Sequence, residues 1–185
     1  MKYGKIFYCD IANGSGVRTA LFVSGCRHHC KGCFNPETWD FNYGEEYTQK
    51  TEDEIIDSLK TDYVVGLSLL GGEPMEPENQ PYVRRLCQRA KREFPDKTIW
   101  MYSGYTLEEM LDESNIRCHT SDTADILACL DVLVDGEFVL EKKNISLRFR
   151  GSENQRIIDV PKSLSSGDIV LTDYMTPVRG ETHAR

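Results

Sequence analysis

Apolar and polar positions fall into short runs whose period switches between two and about three and a half along the chain. "KIFYCDI" (5–11) and "RTALFVSGC" (18–26) read as strands separated by the Gly-rich turn "ANGSGV". "TEDEIIDSLK" (51–60) predicts a helix that begins at Thr51, with acidic residues in its first turn and Ile55, Ile56 and Leu59 on one face. "YVVGLSLLGGEP" (63–74) is a nearly continuous apolar strand that runs into a double glycine. Helical patterns follow at 77–94, 106–114 and 123–130, and strand patterns at 97–105, 131–138 and 154–161.

Strands alternating with helices predict parallel βαβ units in an α/β sheet. A complete eight-unit barrel typically needs about 250 residues, so the expected fold is an open, partial (β/α) barrel with a mostly parallel sheet. One domain over residues 1–175 and a polar tail over 176–185, "TPVRGETHAR", complete the expected organisation. Ligands of such folds gather at the carboxyl ends of the strands. The marked residues fall there: Cys26, Cys30 and Cys33, then Gly71-Gly72-Glu73-Pro74, Ser103-Gly104 and Asp135-Gly136.

Charge and cysteine content narrow the chemistry. Acidic residues outnumber basic ones by eight, which disfavours a nucleic-acid partner, because such contacts need Lys and Arg to neutralise phosphates. No apolar run approaches the roughly 20 residues of a membrane span, and "MKYGKIFYCD" lacks the apolar core of a secretory signal, so the cytoplasm is expected. Seven cysteines, an odd number in a reducing compartment, suit ligation better than a disulfide framework. Cys87 and Cys129 sit in helical apolar patterns and Cys9 at a strand end, as small buried hydrophobes do. Cys118 is the expected exposed thiol, and His183, in the tail, is expected to be idle.

The three cysteines of "GCRHHCKGCFNPETW" (25–39) follow CxxxCxxC. Three thiolates from one loop can hold three corners of a cubic iron-sulfur cluster and leave the fourth iron open. The competing reading is a zinc knuckle, with His28, His29 or the remote Cys118-His119 pair supplying a fourth ligand. Arg27 and Lys31 add positive charge to the loop, either to favour a reduced cluster or to meet an acidic electron donor. "NGSGVRT" (13–19) matches neither GxGxxG nor a P-loop, so it does not read as a phosphate cradle.

CxxxCxxC after an early strand, with GGEP after the next, resembles the radical S-adenosylmethionine (SAM) superfamily. More narrowly, "GCRHHCKGCFNPETW", "LSLLGGEP", "VDGEF" and "LRFRGSENQRIIDV" resemble the family of activators of anaerobic ribonucleoside-triphosphate reductase, a likeness that spans roughly residues 4 to 160. The resemblance implies a radical SAM type of partial barrel. It also implies a 4Fe-4S cluster on Cys26, Cys30 and Cys33, and reductive cleavage of SAM to a 5′-deoxyadenosyl radical that takes a hydrogen from a glycine Cα. The partners it implies are the large subunit of that reductase and a low-potential donor such as flavodoxin or ferredoxin.

The same resemblance sets Gly32, Cys33 and Phe34 along the adenine, and Gly71, Gly72 and Glu73 at the methionyl amino group. Ser103 and Asp135 become candidates for the pocket wall, and Arg18 for contact with SAM or the partner at a mouth formed by the "NGSGVR" and "VDGEF" loops. No side chain is implied as acid or base. Superfamily members usually carry an aromatic residue before the last cysteine, and here it is Gly32. Other SAM-cleaving enzymes, whether activators of a different glycyl-radical enzyme or small-molecule synthases, and a non-catalytic zinc module are the competing functions.

Overall fold

The computed structural model describes residues 1–175; the expected tail and His183 lie outside them. Seven strands make one sheet in the order β3-β1-β2-β4-β5-β6-β7: β1 Lys2–Asp10, β2 Val17–Val23, β3 Glu45–Glu46, β4 Val64–Gly71, β5 Thr98–Tyr102, β6 Val132–Asp135 and β7 Arg156–Asp159. The sheet is not closed. β2, β4, β5 and β6 run parallel, whereas β1 and β7 pair antiparallel with their neighbours. The α/β expectation and its parallel centre hold, and the edges depart from it. β1 reaches β2 through a tight turn rather than a helical crossover, and tight turns join antiparallel strands.

Helices supply the parallel crossovers: α1 Gln49–Ser58, α2 Gln80–Glu93, α3 Leu107–Leu111 and α4 Thr123–Cys129, with α5 Val160–Ser166 after β7. Successive strand residues face opposite sides. Leu21, Leu67, Leu69, Ile99, Met101 and Leu133 point into the main core, where Ile55, Ile56, Val83, Leu86, Ile126 and Leu127 of the helices meet them. The alternate residues, Trp100, Val134 and Ile157, form a smaller cluster on the other face, covered by Phe149, Tyr174 and Met175. The rings of Trp100, Phe149 and Tyr174 pack with centroids 5.2–5.4 Å apart.

Local chemistry moves several boundaries. α1 starts two residues before the expected Thr51: Thr48 is the cap, its hydroxyl accepting from the Thr51 N–H while the Thr51 hydroxyl accepts from the Thr48 N–H. The last strand stops at Asp159 because that side chain caps α5, accepting from the Lys162 N–H, with Pro161 in the first turn. Neither α5 nor the two-residue β3 is visible in the apolar pattern. Among the described residues no helix is long and apolar enough to cross a membrane.

Candidate functional site

β2 ends at Val23, and the chain turns through Gly25 into the cysteine loop. The loop is anchored at its base by the neighbouring strand. The Gly72 N–H donates to the Val23 carbonyl (2.7 Å) and the Glu73 N–H to the Gly25 carbonyl (2.8 Å). A Cβ at Gly71, which has φ +108°, would stand 2.7 Å from Phe22 Cα, and one at Gly72 would stand 2.6 Å from the Gly25 carbonyl oxygen. The double glycine therefore lets the β4 loop lie directly against the cysteine loop. Asn79, which the sequence reading passed over, stitches the two together, its amide donating to the carbonyls of Ser24 (3.0 Å) and Glu73 (2.9 Å).

Cys26, Cys30 and Cys33 open onto one cavity of about 410 Å³ at the carboxyl ends of the parallel strands, within the size range of cofactor pockets. Phe34, Gly71, Gly72, Glu73, Ser103 and Gly104 line it too, as do Ala12 and Asn13 of the Gly-rich turn. Burial, reinforced by the negative charge of Glu73, pushes the Cys26 thiol up to about 12, although the backbone N–H groups of His28 and His29 pull the other way. Burial also raises the Cys30 thiol. Metal binding at these thiols must therefore displace protons. A single zinc ion would need its sulfur ligands all within about 2.3 Å. Among the described residues no three His, Cys, Asp or Glu side chains converge in that way. The three thiols line one cavity, and each could hold one corner of a cubic cluster.

Glu73 is buried, and its carboxylate is already engaged. Oε1 accepts from the Met75 N–H and the Ser103 hydroxyl, both at 2.8 Å, and Oε2 accepts from the Gly104 N–H at 2.7 Å. Its fourth neighbour is His28, which the sequence offered only as a zinc ligand. The His28 side chain is 4% exposed and lies between two acids, Nδ1 2.7 Å from Glu137 and Nε2 3.3 Å from Glu73. The Nε2 contact is close enough for an ion pair but lacks the aim of a hydrogen bond, and that nitrogen has no hydrogen-bond partner. Burial works against the charged imidazole, yet Glu73 and Glu137 outweigh it and raise His28 to about 9. Glycine at 104 is what admits the ring, since a Cβ there would be 2.6 Å from it. A histidine inside a cysteine loop has no periodic signature, so only the fold reveals that it ties three loops together.

Other expected residues lie elsewhere. Arg18 is not at the mouth but at the amino end of β2, 1% exposed. It donates to Ser68 Oγ, Thr98 Oγ1 and the carbonyls of Ser15, Leu67 and Thr98 and rests over the Trp100 ring. Asp135 is fully buried away from the cavity, accepting from the Leu107 N–H (2.9 Å) and from Arg156, while its neighbour Gly136 lines the cavity. Arg27 is held by Glu76 and Glu78, whereas Lys31 is exposed, 4.0 Å from Glu141. His29 stacks on Trp39.

Two cysteine expectations reverse. Cys118 is buried, its thiol donating to the Glu109 carbonyl, and Cys9 is exposed near the end of β1. Neither Cys118 nor His119 reaches the cavity.

The 4Fe-4S single cluster domain family matches residues 12–158. The chain is similar to the anaerobic ribonucleoside-triphosphate reductase-activating protein of Vibrio cholerae serotype O1, 46% identical over 85% of this chain and 97% of that protein. Its counterpart in Escherichia coli K12 is 41% identical over 84% of this chain and 96% of that protein. The protein of that name in Enterobacteria phage T4 is 36% identical over 85% and 93%.

Proposed function

The chain belongs to the family of anaerobic ribonucleoside-triphosphate reductase-activating proteins, and from that premise we propose that it is a radical SAM activase of such a reductase, working in the cytoplasm. One observation carries the reading: three thiols of a single loop and the Gly71-Gly72-Glu73 turn open onto the same cavity. In this reading the open sheet is the partial barrel of radical SAM enzymes, formed by residues 1–175 as one domain.

Cys26, Cys30 and Cys33 would each hold one iron of a 4Fe-4S cluster, and three ligands to four irons would leave one iron open to SAM. When bound there, the cluster and SAM would supply the chemistry, a one-electron cleavage of SAM to methionine and a 5′-deoxyadenosyl radical that takes a hydrogen from a glycine Cα of the reductase. The chain's own part is position and shelter. Gly32, Cys33 and Phe34 run along the adenine, and Gly71 and Gly72 let the backbone approach the methionyl amino group. Glu73, aimed by Ser103 and Gly104, contributes negative charge toward that ammonium rather than free lone pairs. Asp135 serves indirectly, fixing the end of β6 through Arg156 and Leu107. Phe34 and Phe138, packed edge to face at 5.2 Å, help keep water from the reacting atoms. No side chain need act as acid or base, and a low-potential carrier such as flavodoxin or ferredoxin supplies the electron.

The test is anaerobic. Reconstituted, reduced protein given SAM should be brown and release 5′-deoxyadenosine, and with the reductase it should produce a glycyl doublet in electron paramagnetic resonance. Colourless protein containing only zinc would end the proposal.

A further inference from the structure

The mouth of the cavity differs in character from the rest of the molecule. Between residues 138 and 150 the chain carries Lys142, Lys143, Arg148 and Arg150 against the single acid Glu141, in a protein of net charge −8. Lys142, Lys143 and Arg148 are exposed, and two of them rest on aromatic rings. Lys143 stands 5.2 Å over Phe34, and Arg148 stands 5.2 and 5.4 Å over Phe149 and Tyr174. Between them Ile145 is 91% exposed, and Phe34 beside them is 63% exposed. The segment is continuous with the proposed cluster loop: a Cβ on Gly32 would touch Leu140, and one on Gly151 would touch both Phe34 and Phe138. Its residues Phe138, Leu147 and Phe149 also form part of the cavity wall.

An isoleucine almost wholly in water, flanked by cations seated on aromatic rings, has no use in the core of this protein. Apolar groups ringed by one sign of charge are what a protein partner of the opposite charge recognises. We propose that segment 138–150 is the docking strip for the reductase, recognising acidic side chains around an apolar one next to the glycine that receives the radical. This rests on the activase reading. The reductase fits the strip better than an electron carrier does, because a glycine backbone has to pass this rim to reach the cavity. A carrier has no need to cross it.

The experiment compares wild type with the double variant Lys142→Glu/Ile145→Glu, whose side chains lie outside the cavity wall. Binding to the intact large subunit of the reductase is measured at two salt concentrations, and 5′-deoxyadenosine release is measured with dithionite alone. The strip predicts at least about tenfold weaker binding for the variant, a shallower salt dependence, and wild-type dithionite-driven cleavage. Reductase affinity unchanged within twofold would overturn it. So would a defect confined to cleavage driven by a protein carrier, which would assign the strip to that carrier. A wild-type protein that binds the reductase through the strip yet cleaves no SAM would remove the proposed chemistry and leave the docking surface standing.

Discussion

Arg18 and His28 are two buried basic residues set at opposite ends of β2, and their surroundings differ in kind. At the amino end, Arg18 sits among neutral acceptors that use its guanidinium in five hydrogen bonds. Burial lowers it to about 10 against the weaker pull of Tyr102 and Asp131, so it stays charged at neutral pH. At the carboxyl end, His28 sits between carboxylates with one ring nitrogen unmatched, beside protonated thiols and an open cavity. The first region is complete in itself. The second leaves titratable groups facing an open cavity, and this is how a candidate binding site differs physically from a buried polar brace.

The sharpest way to break this contrast is at the cavity end. Replacing Cys30 with Ser should abolish the brown cluster absorbance and 5′-deoxyadenosine release altogether, with the far-ultraviolet circular dichroism unchanged. Next comes Arg18→Met, which strands the acceptors on Leu67, Ser68 and Thr98. A loss of about 3 kcal/mol is expected from buried groups left unsatisfied, which lowers the melting temperature by roughly 6–12 °C in a chain of this size. Equal destabilisation with and without cluster would mark Arg18 as a brace, and a defect seen only in partner activation would return it to the mouth.

His28→Gln should have a smaller effect, and one that depends on pH. Because folding raises His28 from 6.5 to about 9, the folded state holds the extra proton between those values. Its contribution is full below pH 6.5 and is lost as pH rises through about 9. Denaturation of the cluster-free protein should therefore show stability falling across that window, and the glutamine variant should flatten the slope. The smallest effect belongs to Cys9→Ser, expected within about 0.5 kcal/mol of wild type. In native cluster-free protein Cys9 should react with a thiol reagent at once, and Cys118 only on unfolding.

Much of this was legible in the sequence because periodicity and spacing are local. Short apolar runs ending in glycine-bearing loops identified the strands of the parallel centre, and CxxxCxxC with GGEP marked the loops that meet at the cavity. What escaped depends on contacts distant in sequence. A glycine-rich turn before Arg18 looks the same whether the side chain points to solvent or threads back under Ser68 and Thr98. Asp135 ends a strand on the active side, but its carboxylate faces Arg156, which lies on the antiparallel edge. Cys9 and Cys118 exchanged their expected exposures because β3 covers only the start of β1, while the loop at Cys118 is drawn inward by Gln80, whose amide donates to the Cys118 carbonyl at 2.7 Å.

The ring trio of Trp100, Phe149 and Tyr174 has a consequence for how the protein is made. Synthesis runs from the amino end, so the three thiols leave the ribosome long before Tyr174 arrives to complete the smaller cluster on this face of the sheet. A nascent chain would display those thiols while that face is still uncovered. Iron delivery is accordingly expected to follow that last aromatic contact, and to fail in chains that stall before it.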